Sequence, residues 1–498
     1  MCGPAESSCV MYDYLVIGAG YGGLAAAALL QQRGQRVLLL ESHATLGGCA
    51  SFFRRQQFTF DVGATTFSGV LPAQPIGRLF GELGLQPDLV KLDPGMVIDL
   101  DGARLTRYAD PERWIEEAGR HFPGTRQHAF WRKIFELNER AWETVNLSHR
   151  MPPTGFGDLL SLARPANLQY AGLLPGLLRP LTALLKKYEL ADDAKFRRFL
   201  DEQLLISTQN TAENAPYLTA AMGLAYPSET YYPMGGMFRP ALLLLRHFKV
   251  RGGTAYFRRR VTRIAATPEG YTVQTAHGDS YTARGIVANA PIWNLARLTE
   301  GHISNYFNSL TERYDWAWGA FTVYFAIADQ ADLATAYYQI HTAQPLPHCA
   351  GNSVFVSFSL RGDTAKAPAG WRTVTISTHT RPEIWQHLTA QEYAARRNET
   401  ALAILREFDR AFPEFAGAAR QLVSDGTPLT FENYTQRHLG FVGGIPHSLR
   451  NNPLRLPSGV TPFPGFYLVG DSVFPGQGVP AVVLSALNAT ARIAEGKN

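Results

Sequence analysis

The chain has 498 residues, 46% of them hydrophobic and 18% charged, with a formal net charge of +5. That length implies two or more domains around large cores, and the apolar content excludes an intrinsically disordered chain. The small, dispersed charge, with no Lys/Arg block interleaved with aromatics, excludes nucleic acid as a partner.

Residues 1–10 read as a leader, with Met11 as a possible start. Tyr12 to Ile17 is an apolar, β-branched run expected as a buried strand, ending in Gly18-Ala19-Gly20-Tyr21-Gly22-Gly23. Leu24 to Arg33 follows as an Ala/Leu helix with Gly34 in the C-cap region. Arg36 to Leu40 is a second apolar strand, closed by Glu41. A G-x-G-x-x-G run in this order of strand, turn, helix, strand and acid is the arrangement that binds a dinucleotide. Gly18 makes the turn, Gly20 lets backbone approach a pyrophosphate, Gly22 lies in the same turn, and Gly23 allows close helix–strand packing. The helix N-terminus adds free N–H groups and a partial positive charge. Glu41 stands near the ~20-residue offset of the acid that holds ribose hydroxyls. The alternative is a glycine-rich packing turn with no ligand.

The uncharged run Tyr14 to Gln32 approaches membrane-spanning length, but glycines interrupt it and Asp13 precedes it. No other run is long enough to span, so a soluble or peripheral protein is expected. Cys2, Cys9, Cys49 and Cys349 have neither metal-ligand nor C-x-x-C spacing. This suits a reducing, cytoplasmic setting without a disulfide framework or a metal site.

Beyond Glu41, the Gly47-Gly48 pair lets backbone pass close to a bound group, and Phe58-Thr59-Phe60-Asp61 reads as a short strand ending at Gly63. Residues 72–229 carry no comparable motif. Trp114 to Arg120 and Arg126 to Val145 are expected as helices. Within Met151 to Leu190, leucine pairs alternate with Arg164, Arg179, Lys186 and Lys187, and Asp158 is the sole acid before Glu189. A buried helical pair with solvated lysines and a shallow membrane-contact surface both fit this stretch. A helix over Pro240 to Phe248 precedes short strands at Val261 to Ile264, Tyr271 to Thr275 and Ile286 to Ala288, a β-meander added to the sheet. Arg258-Arg259-Arg260 reads as a solvated edge. Strands at Phe321 to Ala326, Ser353 to Ser359 and Thr373 to Thr378, then a helix from Ala390 to Phe412, suggest a mixed sheet. Finally Gly465 to Val469 is a buried strand ending in Gly470-Asp471, with a small-residue turn and a helix from Ala481 to Ala494. This makes a second helix N-terminus suited to anions.

The glycine fingerprint, Glu41, Gly47-Gly48 and Phe-Thr-Phe-Asp-Val-Gly, in this order, resemble the FAD-dependent amine oxidase and phytoene desaturase superfamily. Gly-Gly-Cys-Ala-Ser with Phe-Asp-Val-Gly-Ala-Thr looks most like the branch of carotenoid isomerases and carotenoid 3,4-desaturases, with retinol saturases nearby. Thr427-Pro428-Leu429-Thr430 and Gly440-Phe441-Val442-Gly443-Gly444 also look like the family. The resemblance implies that Asp471 after Gly470 reaches the FAD ribityl chain, that Gly478 and Val479 lie beneath the flavin ring, and that Val261 meets the adenine side through backbone atoms. The expected fold is α/β: a discontinuous Rossmann-type FAD-binding domain with an inserted mixed α+β substrate domain. Residues 11–71, 230–300 and 455–498 would form the first, and 72–229 and 301–454 the second.

No Ser/His/Asp triad or paired carboxylate stands out, and His43, His438 and His447 read as ordinary polar or surface residues. The catalytic residues therefore stay unassigned, in keeping with chemistry borne by the flavin. The resemblance implies a carotenoid or related long polyene as substrate, desaturated or isomerised between cis and trans. Desaturation needs an electron acceptor such as a quinone or oxygen. A forty-carbon chain cannot cross water at ~0.8 kcal/mol per apolar carbon, so peripheral membrane contact is expected. A retinol saturase-like reductase, a small-amine oxidase of the same fold, and a non-catalytic prenyl binder resembling Rab GDP-dissociation inhibitors are the other readings.

Overall fold

The structure is a computed structural model that describes residues 11–124 and 126–496. The expected leader, with Cys2 and Cys9, lies outside the described residues.

Three stretches far apart in sequence meet in one seven-stranded sheet, ordered Val261–Thr267, Gly270–Thr275, Ser280–Ala288, Met11–Ile17, Val37–Leu40 and Thr254–Tyr256, with Phe466–Leu468 joining Ser280–Ala288 off this path. Ser280–Ala288 is its pivot. One edge of it pairs antiparallel with Gly270–Thr275 through Ala283 and then parallel with Phe466–Leu468 from Ile286; the other runs parallel to Met11–Ile17. The carboxyl ends of Met11–Ile17, Val37–Leu40, Ser280–Ala288 and Phe466–Leu468 therefore open at one rim, where ligands of open α/β sheets bind.

The helix Tyr21–Gln32 crosses between the first two strands, with every residue from Tyr21 to Leu30 buried. The Ala25–Ala28 run lets it sit closely between helices Phe238–Val250 and Val479–Ala494 in one core cluster. It ends as its glycine requires: Gly34 has φ +82°, and the Gln35 N–H reaches back to the Leu30 carbonyl at 3.1 Å.

A second seven-stranded sheet is ordered Arg420–Gly426, Gly319–Ala328, Trp371–Thr380, Ala350–Phe358, Tyr337–His341, Met96–Leu100 and Ala103–Arg107. Period-two alternation divides its faces. Phe321, Val323, Phe325 and Ile327 pack with Ile404 and Phe408 of helix Ala390–Ala411, whereas Ala320 and Tyr324 face a cavity on the other side. The Met96–Arg107 hairpin went unseen in the sequence because its partner, Tyr337–His341, is remote in the chain. The expected helix at Trp114 starts earlier, as Pro111–His121, where Asp110 accepts from the Arg113 N–H and Pro111 takes the first turn. Phe58–Asp61 is a strand as expected, but both its faces are buried because it lies between its hairpin partner Phe52–Arg55 and the second sheet.

Helices Pro111–His121, Gln127–Val145, Ala194–Thr208 and Tyr217–Ala225 form a third core around Trp114, Trp131, Phe196 and Phe199. The leucine-rich stretch divides. Leu181, Leu184 and Leu185 are buried there, while Phe156, Leu159, Leu160, Leu168, Leu174 and Leu178 are exposed.

Candidate active site

A cavity of about 1950 Å³ runs from the carboxyl rim of the first sheet, under the second sheet, to the helical lobe. Ligand pockets usually span ~300–1,000 Å³, so this one holds more than a single small molecule.

The glycine turn forms its floor. Gly18 has φ +96°, and a Cβ on Gly23 would stand 2.0 Å from the Gly18 carbonyl oxygen. Gly23 thus packs helix on strand and does not open on the cavity, whereas Gly18, Gly20 and Gly22 do. Glu41 is buried at the end of its strand, accepting from the Ala19 N–H at 2.6 Å and the His43 N–H at 2.7 Å. Gly47 (φ +105°) donates its N–H to the Ala19 carbonyl, and a Cβ on Gly48 would be 3.6 Å from Gly20 Cα. Val261 lies beside Glu41, since the Arg259 N–H binds the Glu41 carbonyl at 2.8 Å. Gly470 (φ +109°) donates to Ser485 Oγ at 2.9 Å, and Gly478 (φ +93°) starts the helix Val479–Ala494. Apart from Gly23, all the residues assigned to the cofactor from the sequence line this one cavity.

Three residues at the floor escaped the sequence reading. Asn289 projects between the two glycine turns: a Cβ on Gly20 would stand 2.8 Å from its Nδ2, and one on Gly470 2.9 Å from its Oδ1. The signal was available, since Asn289 directly follows the pivot strand. Arg437 donates from Nη2 to Asp471 Oδ2 at 2.7 Å, which no spacing could announce. Gln209 caps its helix with φ +59°, its carbonyl accepts from Trp318 Nε1, and its Oε1 is buried without a protein partner.

The electrostatics are quiet above that floor. Burial pushes the Cys49 thiol up, against the pull of Arg437, so it stays protonated and unreactive. His447 is 9% exposed and lines the cavity with Nε2 unpartnered, so it is neither a surface residue nor a solvated one. Burial holds His447 and His379 down at about 4, so both imidazoles are neutral at pH 7. Ser353 faces the cavity and donates to the buried Glu202 carboxylate at 2.6 Å, and burial raises that carboxyl's pKa.

The histidines set an acid limit. Their folded pKa of about 4 lies below the unfolded 6.5, so the unfolded chain binds more protons between those values. Stability is therefore full above the unfolded value and drains as pH falls through the window. Tm should drop from pH 7 to 4.5, and His447→Gln should flatten part of the drop; a Tm unchanged to pH 4.5 contradicts this assignment.

The floor suits a dinucleotide. Helices Tyr21–Gln32 and Val479–Ala494 both begin at glycines with no side-chain cap, so their first N–H groups are open toward the cavity. Two-sheet architecture, dinucleotide floor and an apolar roof define a flavin-dependent oxidoreductase. The family model for flavin containing amine oxidoreductases matches residues 21–494, and the chain belongs to this family. Its cofactor is FAD. Among curated relatives, the chloroplastic prolycopene isomerase of Daucus carota is 26% identical over 97% of this chain and 80% of its own. The carotenoid 3,4-desaturase of Haloarcula japonica is 24% identical over 95% of this chain and 96% of its own. Among solved structures, cyclohexylamine oxidase from Brevibacterium oxydans shares the fold, with a TM-score of 0.61 and 16% identity over 98% and 99% of the two chains.

Proposed function

We propose that the protein desaturates a carotenoid or related long polyene, or isomerises it between cis and trans, at FAD held on the cavity floor. In this reading Gly18, Gly20 and Gly22 receive the pyrophosphate and Glu41 the adenosine ribose. Gly47, Gly48 and Val261 border the adenosine half, and Gly470, Asp471, Gly478 and Val479 border the ribityl chain and ring. Residues 11–71, 230–300 and 455–498 then form the FAD domain, to which helix Gly301–Arg313 adds, since Ile303 and Phe307 join its core.

The observation that carries the reading is the continuity of the cavity. It leaves the glycine turns between neutral side chains such as Ser353, Phe355 and Met222 and opens among Leu159, Leu168 and Leu174, which are 54%, 68% and 50% exposed. In this reading a chain of carbons enters from that apolar surface and reaches the floor through the same cavity. FAD supplies hydride acceptance and return, so the protein needs chiefly to hold the polyene straight and dry. Glu202 behind Ser353 is the buried carboxyl beside this path. Desaturation calls for an electron acceptor such as a quinone or oxygen; isomerisation has no net redox change.

The same leucines support peripheral attachment to a membrane, for a protein of the cytoplasm. No described helix is long and apolar enough to cross one. Phe156, Leu160 and Leu178 are exposed in the same stretch of chain, and so are Arg164, Arg179, Lys186 and Lys187. Asp158 does not neutralise them, because it is buried against Arg492 at 2.7 Å. Near an anionic surface each cation is worth ~1 kcal/mol.

The test is to supply cis-carotenoids in anionic liposomes to FAD-loaded protein, with and without reductant, and to separate products by chromatography. Changed polyenes are expected. Changing Leu159, Leu168 and Leu174 together to Gln should slow turnover from vesicles far more than turnover of detergent-dispersed substrate. Rapid oxidation of small primary amines with every carotenoid unchanged would overturn the reading.

A further inference from the structure

The loop from Gln436 to Gly444 has no task in the reading above, yet its backbone is unusually constrained. Gln436 (φ +58°), Leu439 (+52°), Gly440 (+68°), Gly443 (+73°) and Gly444 (+69°) all lie in the left-handed region. Two of them carry side chains, a conformation that persists where the surroundings impose it and that gathers at functional sites. The loop is pressed onto the Gly470-Asp471 turn: a Cβ on Gly444 would stand 1.9 Å from the Asp471 carbonyl oxygen. What this backbone delivers to the cavity floor is Arg437.

Two bonds hold the guanidinium, Nε to the Phe441 carbonyl at 2.5 Å and Nη2 to Asp471 Oδ2 at 2.7 Å, with 12% of the side chain exposed. Its charge is felt by Cys49, the residue after Gly47-Gly48. Gly48 in turn abuts Gly20 of the glycine turn. Arg437 therefore stands where the three backbone turns converge. The other cations on the cavity wall are placed differently: Arg54, Arg55, Arg260 and Arg297 are exposed, and Arg259 is paired with Asp279 at 2.8 Å. The glycine turns contribute N–H groups and helix dipoles but no full charge. A pyrophosphate brings two negative charges into a site already holding Asp471, and buried charges need partners.

We propose that Arg437 is the cation that binds the FAD pyrophosphate, carried to the floor by the Gln436–Gly444 loop. The proposal rests on FAD occupying these turns. Asp471 then both orients the guanidinium and meets the ribityl chain.

The experiment uses full-length protein stripped of cofactor and three probes: FAD, ADP, which has the pyrophosphate without the flavin, and riboflavin, which has the flavin without phosphate. Binding is read by calorimetry and by thermal shift. Arg437→Gln should weaken ADP and FAD by about ten- to hundredfold, the loss expected of one hydrogen bond to a charged group, and riboflavin, which loses only the brace on Asp471, by much less. Arg437→Lys should restore part of the ADP affinity. Unchanged ADP binding in Arg437→Gln overturns the proposal, as does equal weakening of ADP and riboflavin, which would make Arg437 only a brace for Asp471. Should the variant not fold, phenylglyoxal labelling of wild-type protein, located by peptide mass, decides. Arg437 should react in the stripped protein and be protected by ADP but not by riboflavin; absence of labelling, or labelling that ADP leaves unchanged, overturns the proposal. Wild-type protein that binds none of the three probes removes the cofactor reading, and this proposal with it.

Discussion

Asp471→Ala is expected to give a colourless protein that melts well below wild type. The carboxylate pairs with Arg437 at 2.7 Å, and the two side chains are only 16% and 12% exposed. Removing one member of such a pair strands the other charge in a poorly hydrated place, a loss of ~3–5 kcal/mol. If Asp471 meets the ribityl chain as proposed, the flavin would lose a charge-assisted hydrogen bond as well, worth ~1.5–3 kcal/mol, or roughly ten- to hundredfold in retention. Asp471→Asn keeps the shape without the charge and should fall between. Flavin absorbance relative to protein after gel filtration, together with Tm, measures both effects. A yellow alanine variant with the wild-type Tm would refute the assignment.

The second large effect is expected at Asp61, where the Phe58–Asp61 strand meets Met237, whose carbonyl accepts from Tyr21 of the glycine turn. Lys366 Nζ approaches Asp61 Oδ2 at 2.5 Å, with side chains 6% and 3% exposed. The other carboxylate oxygen accepts from the Met237 N–H at 2.8 Å, and Thr375 Oγ1 donates to the Asp61 carbonyl. One residue thereby ties the Phe58–Asp61 strand to the helix after Met237 and to the second sheet. Asp61→Ala leaves a buried ammonium without its counter-charge, again ~3–5 kcal/mol, which lowers Tm by about 3–5 °C in a chain of this length. Adding Lys366→Met should recover much of this, because an apolar side chain tolerates the same burial. Calorimetry of the wild type, the two single variants and the double variant tests the coupling. Equal Tm in Asp61→Ala and wild type would contradict it, as would a double variant less stable than Asp61→Ala.

The parts that could be read from the chain alone share one property: their geometry is local. Gly18 to Glu41 is a single contiguous unit in which positive φ, absence of Cβ and a strand-end acid each demand a particular residue within a few positions. Gly470 to Val479 is another. The three added strands from Val261 to Ala288 were legible for the same reason, since turns at Gly270 and Gly278 punctuate them. Such signals survive without knowledge of the rest of the fold, and they were enough to indicate a dinucleotide and, with the family resemblance, FAD.

What the tertiary structure decided is where remote side chains meet and which apolar faces stay uncovered. The leucine pairs are the plainest case. Leu159-Leu160 and Leu184-Leu185 look alike in the sequence, yet the first pair is exposed and the second is buried in the helical core. Helical periodicity assigns side chains to a face, but only the neighbouring elements determine whether that face meets protein or solvent. Asp471 was legible after Gly470, but Arg437, thirty-four positions away, is unremarkable in the sequence. Their pairing depends on a loop whose left-handed backbone is imposed by the turn it covers. The sequence by itself determined the glycine turns, because backbone conformation there is written into glycines; the fold determined the Arg437–Asp471 pair beside them and which leucines stay exposed, because burial and charge pairing are properties of the assembled chain.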